Sequence, residues 1–505
     1  MTVKRALTLI FGLVLISIIA KELVWYMNPP SRLYRVGYEY DYTTINYVQF
    51  FVLFLIPSIT AIFLYRADFK MINNFYDRAA GAVKKAFLAG VENKEMVLFI
   101  AVVMFWIFSL MEHAFFRNLI ASEKPFQFPF DPYHEGEKIG FLYTFLNNDE
   151  ALKEMFIIHG YFLEVLTSYL AYLVAPENHA LMGFRLLYTL EILLSWLGMI
   201  WMIWEVVNFT TEKGDKVLRK LQFILFSVVF VASNGSFLTL DYQHGFLFLQ
   251  LGLVLHFLRK LTTSDPTPRL ILILSLIIGV SIPLGPLYST KYGVIFSVIF
   301  ALAVFLLLFH KQYKLFLLGS SLGVISSGVI TCLMLGWEQV LELGKMVLYW
   351  IEFYPPRFSA PFISDANEYY LWIPQLVIGI LIVCGIQLVI NFKQSRNFQS
   401  FVQKNTHIII LLALSILLLK VALDLSDKRH FRTITPPILI LLFSLTTGWI
   451  DKLNEFKLLI IQSYTTHKTI WTLVLIFLLF INIHPKEAFR HVKPYWKQIS
   501  TTDDG

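Results

Sequence analysis

An all-α, polytopic membrane protein is the fold class this sequence predicts, and three observations predict it. Of 505 residues, 57% are hydrophobic and only 15% are Asp, Glu, Lys or Arg, an apolar share beyond that of ordinary soluble domains. The mean hydropathy is +0.63. The apolar residues fall in runs of about 20, the length a helix needs to cross a hydrocarbon slab of ~30 Å. Together these give roughly thirteen transmembrane helices (about 11 to 14), with amphipathic juxtamembrane helices in the first large outer loop.

The elements follow in order. The run at 6–26 comes after Lys4-Arg5, lacks a small-x-small cleavage site and ends on the interfacial pair Trp25-Tyr26, so it reads as a retained anchor. Further spans are expected at 46–65, 96–116, 183–207, 217–236, 244–258, 269–286, 292–309, 314–335, 371–391, 407–424, 434–450 and 468–484. With that count the basic clusters, from Lys4-Arg5 through Arg259-Lys260 and Lys393-Arg396-Lys404 to Lys452-Lys457, all share one side. The positive-inside rule then makes the amino terminus cytoplasmic in a multi-pass protein of the cell's inner (plasma) membrane. The parity holds only if 155–175 does not span. That segment is therefore expected to lie on the outer surface as an amphipathic helix, carrying His159 and Glu164 toward the headgroups. Residues 1–505 form one integral domain: two amino-terminal helices and a cytoplasmic loop in 1–95, an outer loop with the candidate active site at 117–182, and a second outer loop at 336–370.

Several function classes are excluded. The net charge of +7 is spread between apolar spans, which argues for membrane orientation and against nucleic acid. There is no GxxxxGK[ST], no GxGxxG after a strand, no HExxH and no GxSxG. Cys332 and Cys384, the two cysteines, sit in apolar runs and make neither a disulfide framework nor a CxxC site. Any chemistry must draw on a preactivated substrate.

Two constellations carry that chemistry. The first is Asp131-Pro132-Tyr133-His134-Glu135-Gly136-Glu137, on a loop opened by Pro125, Pro129 and Pro132. Carboxylates crowded at a membrane lip repel one another, which suits taking a proton from a hydroxyl or holding a divalent cation through oxygen ligands. A solvated loop with ordinary charges is the bland alternative. The second is Ser426-Asp427-Lys428-Arg429-His430-Phe431-Arg432, a short outer turn whose cations run against the orientation bias. Lys and Arg match phosphate oxygens, so the turn can seat a lipid phosphate or diphosphate, or anchor to bulk anionic lipid. A weaker feature pairs the outer turn at Tyr288-Ser289-Thr290-Lys291-Tyr292 with Asp241, Tyr242 and His244.

These residues resemble bacterial polytopic membrane glycosyltransferases of the C type (GT-C). The resemblance rests on Asp131-Pro-Tyr-His134-Glu135-Gly-Glu137, on His159-Gly160 ahead of Phe184-Arg185-Leu186-Leu187, and on Ala422-Leu-x-x-Ser426-Asp427-x-x-His430. It implies inverting transfer of a hexose or pentose from a polyprenyl phosphate donor to a glycan, lipid or protein acceptor on the extracytoplasmic face, in cell-envelope glycan biosynthesis. Asp131 would act as base, with Glu135 as runner-up and His134 orienting a substrate. Glu137 and His159 would contact substrate, and Lys428, Arg429, His430 and Arg432 would seat the donor phosphate. No cofactor is required on this reading, and Mg2+ or Mn2+ dependence is open. The acidic loop follows the third apolar span here and its carboxylates are spaced, a departure from family members in which adjacent carboxylates follow the first helix. Competing expectations are a polysaccharide polymerase or O-antigen-ligase-like enzyme, and a transporter or flippase drawing on Glu191, Glu205 and Lys420 within the spans.

Overall fold

A computed structural model of the chain describes residues 43–66, 134–148, 157, 159–174, 180–210, 242–263, 266–310, 312–358, 372–425 and 428–450, with scattered helical positions at 12–20 and 219–233. All regular structure among the described residues is helical: α1 (Thr43–Arg66), α2 (His134–Asn147), a π-helical turn (Phe162–Leu166) running into α3 (Thr167–Val174), α4 (Ala180–Thr210), a 3-10 turn (Tyr242–His244) ahead of α5 (Gly245–Thr263), α6 (Pro268–Tyr288), α7 (Thr290–Leu307), α8 (Tyr313–Leu335), α9 (Trp337–Phe358), α10 (Trp372–Gln394), α11 (Phe398–Leu425) and α12 (Lys428–Ile450). Seven described helices are long and apolar enough to cross a membrane, in keeping with the membrane class read from composition. The expected spans at 96–116 and 468–484 lie outside the described residues.

Close helix packing follows from small residues, because lipid gives apolar helices no reason to associate and backbone approach must supply the contact. Gly279 of α6 lies on the backbone of Ser320, and Gly319 and Gly323 of α8 lie on Leu272, Ser275 and Leu276. No added Cβ would fit at these three glycines. Gly198 and Gly252 do the same for α4 and α5, with Gly252 under the Trp201 ring. Around these ladders Trp196, Phe230, Phe248, Phe257, Phe296 and Phe316 fill a continuous core. Serine and threonine hydroxyls in the helices donate back along the chain, as from Ser275 to Ile271 and from Ser415 to Leu411, which removes the penalty of an unpaired hydroxyl in an apolar surround.

Two junctions fix the ends of the bundle. At one, the Thr290 amide donates to the His159 carbonyl (2.9 Å), so the segment before the π turn is pinned to the α6–α7 corner. At the other, Gln399 and Gln403 of α11 both donate to the Phe309 carbonyl at the end of α7 (2.9 and 3.0 Å). These are called here the His159 end and the Arg259 end.

Three loop expectations become helix. The second outer loop at 336–370 contains α9. Its apolar positions Val340, Leu343, Met346 and Val347 recur at helical spacing opposite Glu338, Glu342 and Lys345, with Glu342 and Lys345 paired at 2.8 Å. Glu135 and Glu137 belong to α2, not to a loop, and Lys428, Arg429, His430 and Arg432 form the opening of α12. Within segment 155–175 the described helix is short. The π turn and α3 together cover Phe162–Val174, about 20 Å of helix at 1.5 Å per residue, less by itself than the ~30 Å of a hydrocarbon slab.

Candidate functional site at the His159 end

The site begins with one glycine. Gly160 has φ +134°, a conformation that L side chains rarely adopt, and its missing Cβ would strike the Tyr288 carbonyl. Only glycine lets the chain cross the α6–α7 corner this closely. Immediately afterwards the helix opens as a π turn, with the Thr167 amide reaching back five residues to the Phe162 carbonyl. Glu164 lies at the centre of that turn and is fully buried. Widened turns of this kind recur at functional sites because they re-aim a side chain. The expectation that Glu164 faces the headgroups is therefore corrected: it points into the protein, since the covering elements α2 and the α6–α7 corner lie where bulk headgroups were assumed.

Around Glu164 the described side chains form a polar patch. His159 Nε2 stands 3.9 Å from Glu164 Oε1, and His159 Nδ1 stands 3.4 Å from Gln243 Nε2. The next residue, His244, is buried with its ring 4.6 Å from that of Tyr292, over which the Lys291 ammonium sits at 4.8 Å. Gly245 packs on the Glu191 carbonyl, which places the buried Glu191 at this same end of α4. Lys138 is buried on α2, the helix packed against the π turn. Burial pushes the Tyr161 phenol above its ordinary pKa, so that it remains a neutral hydroxyl at any physiological pH.

An apolar cavity of about 700 Å³ adjoins the patch. Pro283 and Pro286 of α6, Val329 and Cys332 of α8, and Leu343 and Val347 of α9 form its walls with Ile157 and Tyr161, and the exposed Ile325 and Leu333 leave one side open. Its size is that of a small-molecule site. Thr290, which also lines it, holds the His159 carbonyl, so the polar and apolar parts are joined by one hydrogen bond. The arrangement places a fully buried carboxylate beside an imidazole, joined through Thr290 to an apolar slot whose lining suits a hydrocarbon chain.

Among the residues expected at the site, His159 lies in this patch. The starts of α2 and α12, carrying His134, Glu135 and Glu137 and Lys428, Arg429 and His430, are described as helix. Their side chains are outside the described residues, as is Asp131 altogether. Arg432 is half-buried, and its carbonyl accepts the Thr435 hydroxyl at 2.8 Å. Gln243 escaped the sequence reading, because a neutral amide in an apolar context carries no pattern. Glu164 had a signal, a lone carboxylate inside an apolar run. Among the described residues no group of three or more His, Cys, Asp and Glu side chains comes together to hold a metal. No family model, curated protein or solved structure matches this chain, so the resemblance to GT-C enzymes rests on its own residues alone.

Proposed function

We propose that the protein is an inner-membrane glycosyltransferase that moves a sugar from a polyprenyl phosphate donor to a glycan, lipid or protein acceptor at the extracytoplasmic, His159 end. The observation that carries this reading is the junction of the roughly 700 Å³ apolar slot with the Glu164, His159 and Gln243 patch. A lipid-linked sugar needs both: a dry channel for the chain and a proton acceptor where the sugar emerges.

In the reaction the acceptor hydroxyl attacks the anomeric carbon, the bond from that carbon to the donor phosphate oxygen breaks, and the configuration inverts. The hydroxyl proton passes to a carboxylate and polyprenyl phosphate departs. Asp131 holds the base role on the resemblance, and Glu164 beside His159 is a second holder. Lys428, Arg429 and Arg432 open α12, where cationic side chains and the free amides of a first helical turn together favour a phosphate.

Transfer from polyprenyl-phosphate-linked monosaccharide by purified protein tests the reading. Asp131→Asn or Glu164→Gln should lower the rate by about 100-fold or more with protein yield unchanged, the usual contribution of a general base. Normal transfer in both variants removes the base assignment. A protein inert with monosaccharide donors yet active on lipid-diphosphate oligosaccharides would replace it with the polymerase reading.

A further inference from the structure

We infer that the hydroxyls of Tyr161 and Thr290 form the seat for a phosphate at the head of the lipid whose chain fills the apolar slot. Both residues line the slot, and they are only 7% and 5% exposed. Among the described residues neither hydroxyl has a hydrogen-bond partner. Thr331, also in the slot, shows the contrast: its hydroxyl donates to the Ser327 carbonyl at 2.8 Å. At the Arg259 end the buried Glu205 carboxylate is likewise answered, by Arg259, His256 and Trp201. Thr290 cannot bond back as Thr331 does, because it opens α7 and has no carbonyl of its own helix four residues behind it. The Tyr161 ring is set by packing against Phe145 and Phe162, at centroid separations of 6.5 and 5.9 Å, and burial keeps its phenol protonated and able to donate. An unpaired hydroxyl in an apolar surround is costly, and two in one slot call for an acceptor from outside the chain.

The rest of the slot identifies what carries that acceptor. Its walls are apolar, and the side left open by the exposed Ile325 and Leu333 admits a lipid from the bilayer. An amphiphile that lays its chain along Pro283, Val329 and Leu343 brings its head to Thr290, whose amide already holds the His159 carbonyl at 2.9 Å. The head is thereby set beside the polar patch. Thr290 is also the first residue of the 18-residue α7, whose positive end favours an anion, and a phosphate offers several strong acceptor oxygens to the two donors. The inference rests on the proposed function, in which the slot takes the chain of a polyprenyl phosphate. It adds the groups that position the phosphate at the slot: the neutral hydroxyls fix where its oxygens sit, and in that reading the cations opening α12 meet its charge.

Protection of Cys332, which also lines the slot, reads binding in the purified protein in detergent. Geranylgeranyl phosphate should slow its modification by a small maleimide, and so should phytane, a branched hydrocarbon of the same carbon number with no head. Tyr161→Phe and Thr290→Val should each raise the geranylgeranyl phosphate concentration needed for protection on the order of tenfold, the worth of one hydrogen bond to a charged group, and leave that for phytane unchanged. Thr290→Ser, which keeps the hydroxyl, should behave as wild type. Unchanged protection by geranylgeranyl phosphate in both variants means that water satisfies the hydroxyls and overturns the seat, while the slot stands as a lipid site. An equal loss of protection by phytane reports a damaged slot and overturns the seat as well. Competition by millimolar inorganic phosphate would assign the hydroxyls to a free ion and remove the lipid head. Failure of both compounds to protect the wild type is a different result, for it removes the slot as a lipid site and with it the observation that carries the proposed function.

Discussion

Gly160 concentrates the argument at the scale of single residues. Its φ of +134° and the Tyr288 carbonyl beside its absent Cβ predict that Gly160→Ala destabilises by about 2 kcal/mol or more, from backbone strain together with a collision that must move the α6–α7 corner. Gly336 is the control within the same chain. It too has positive φ, +83°, but open space around it, so Gly336→Ala should show strain without collision and a smaller fall. Thermal unfolding of the detergent-solubilised variants measures both, and an unchanged midpoint for Gly160→Ala would mean that His159 is not locked to the corner. His159-Gly160 was visible in the sequence as a pair, because an imidazole and a glycine inside an apolar run are out of place. The depth of Glu164 was not, since hydrophobic periodicity shows which face of a helix is apolar and says nothing of what later segments will cover the polar one.

Helices, at the next scale, were legible where apolar runs are long and unbroken, as in α6, α7, α8, α10 and α11. The sequence reading lost α9 because Glu338, Glu342, Lys345 and the pair Pro355-Pro356 depress its mean hydropathy, although its alternating faces are those of an interfacial helix. The π turn has no sequence signature at all, being selected by the packing of Glu164 and Val165 against neighbours distant in the chain. α9 and Tyr161, the residue ahead of the π turn, line the apolar slot, and its walls supply a natural reporter. Cys332 lies in the slot and is partly exposed, whereas Cys384 is wholly buried. A small membrane-permeant maleimide should therefore modify Cys332 and spare Cys384 in the folded protein. Polyprenyl phosphate should slow that modification several-fold by filling the slot. Equal rates with and without the lipid would separate the slot from the donor chain, leaving the polar patch to be tested by Asp131→Asn and Glu164→Gln.

For the whole molecule, the two polar centres sit at opposite ends of one helix. Glu191 and Glu205 are both on α4, about 21 Å apart at 1.5 Å per residue, and an apolar core of Trp196, Met199, Met202 and Ile203 lies between them. A carboxylate near each boundary with a dry centre suits a fixed bundle with separate surfaces better than a path through the membrane, which would string ionisable groups across the middle. The same geometry makes the topology testable. α4 and α5 run parallel, and helix directions alternate from α5 to α8 and again from α10 to α12, so the corner at Ser395–Asn397 belongs to the Arg259 end and the α8–α9 junction at Gly336 to the His159 end. The basic residues Arg259, Lys260, Lys314, Lys393 and Arg396 belong to the first of these, which the positive-inside rule predicts to be cytoplasmic. In a background with Cys332 and Cys384 replaced, a membrane-impermeant maleimide added to intact cells should label Glu338→Cys, on the exposed face of α9, and leave Arg396→Cys unlabelled until the cells are opened. The reverse pattern would put the Glu164 patch in the cytoplasm, where an extracytoplasmic sugar transferase has no use for it.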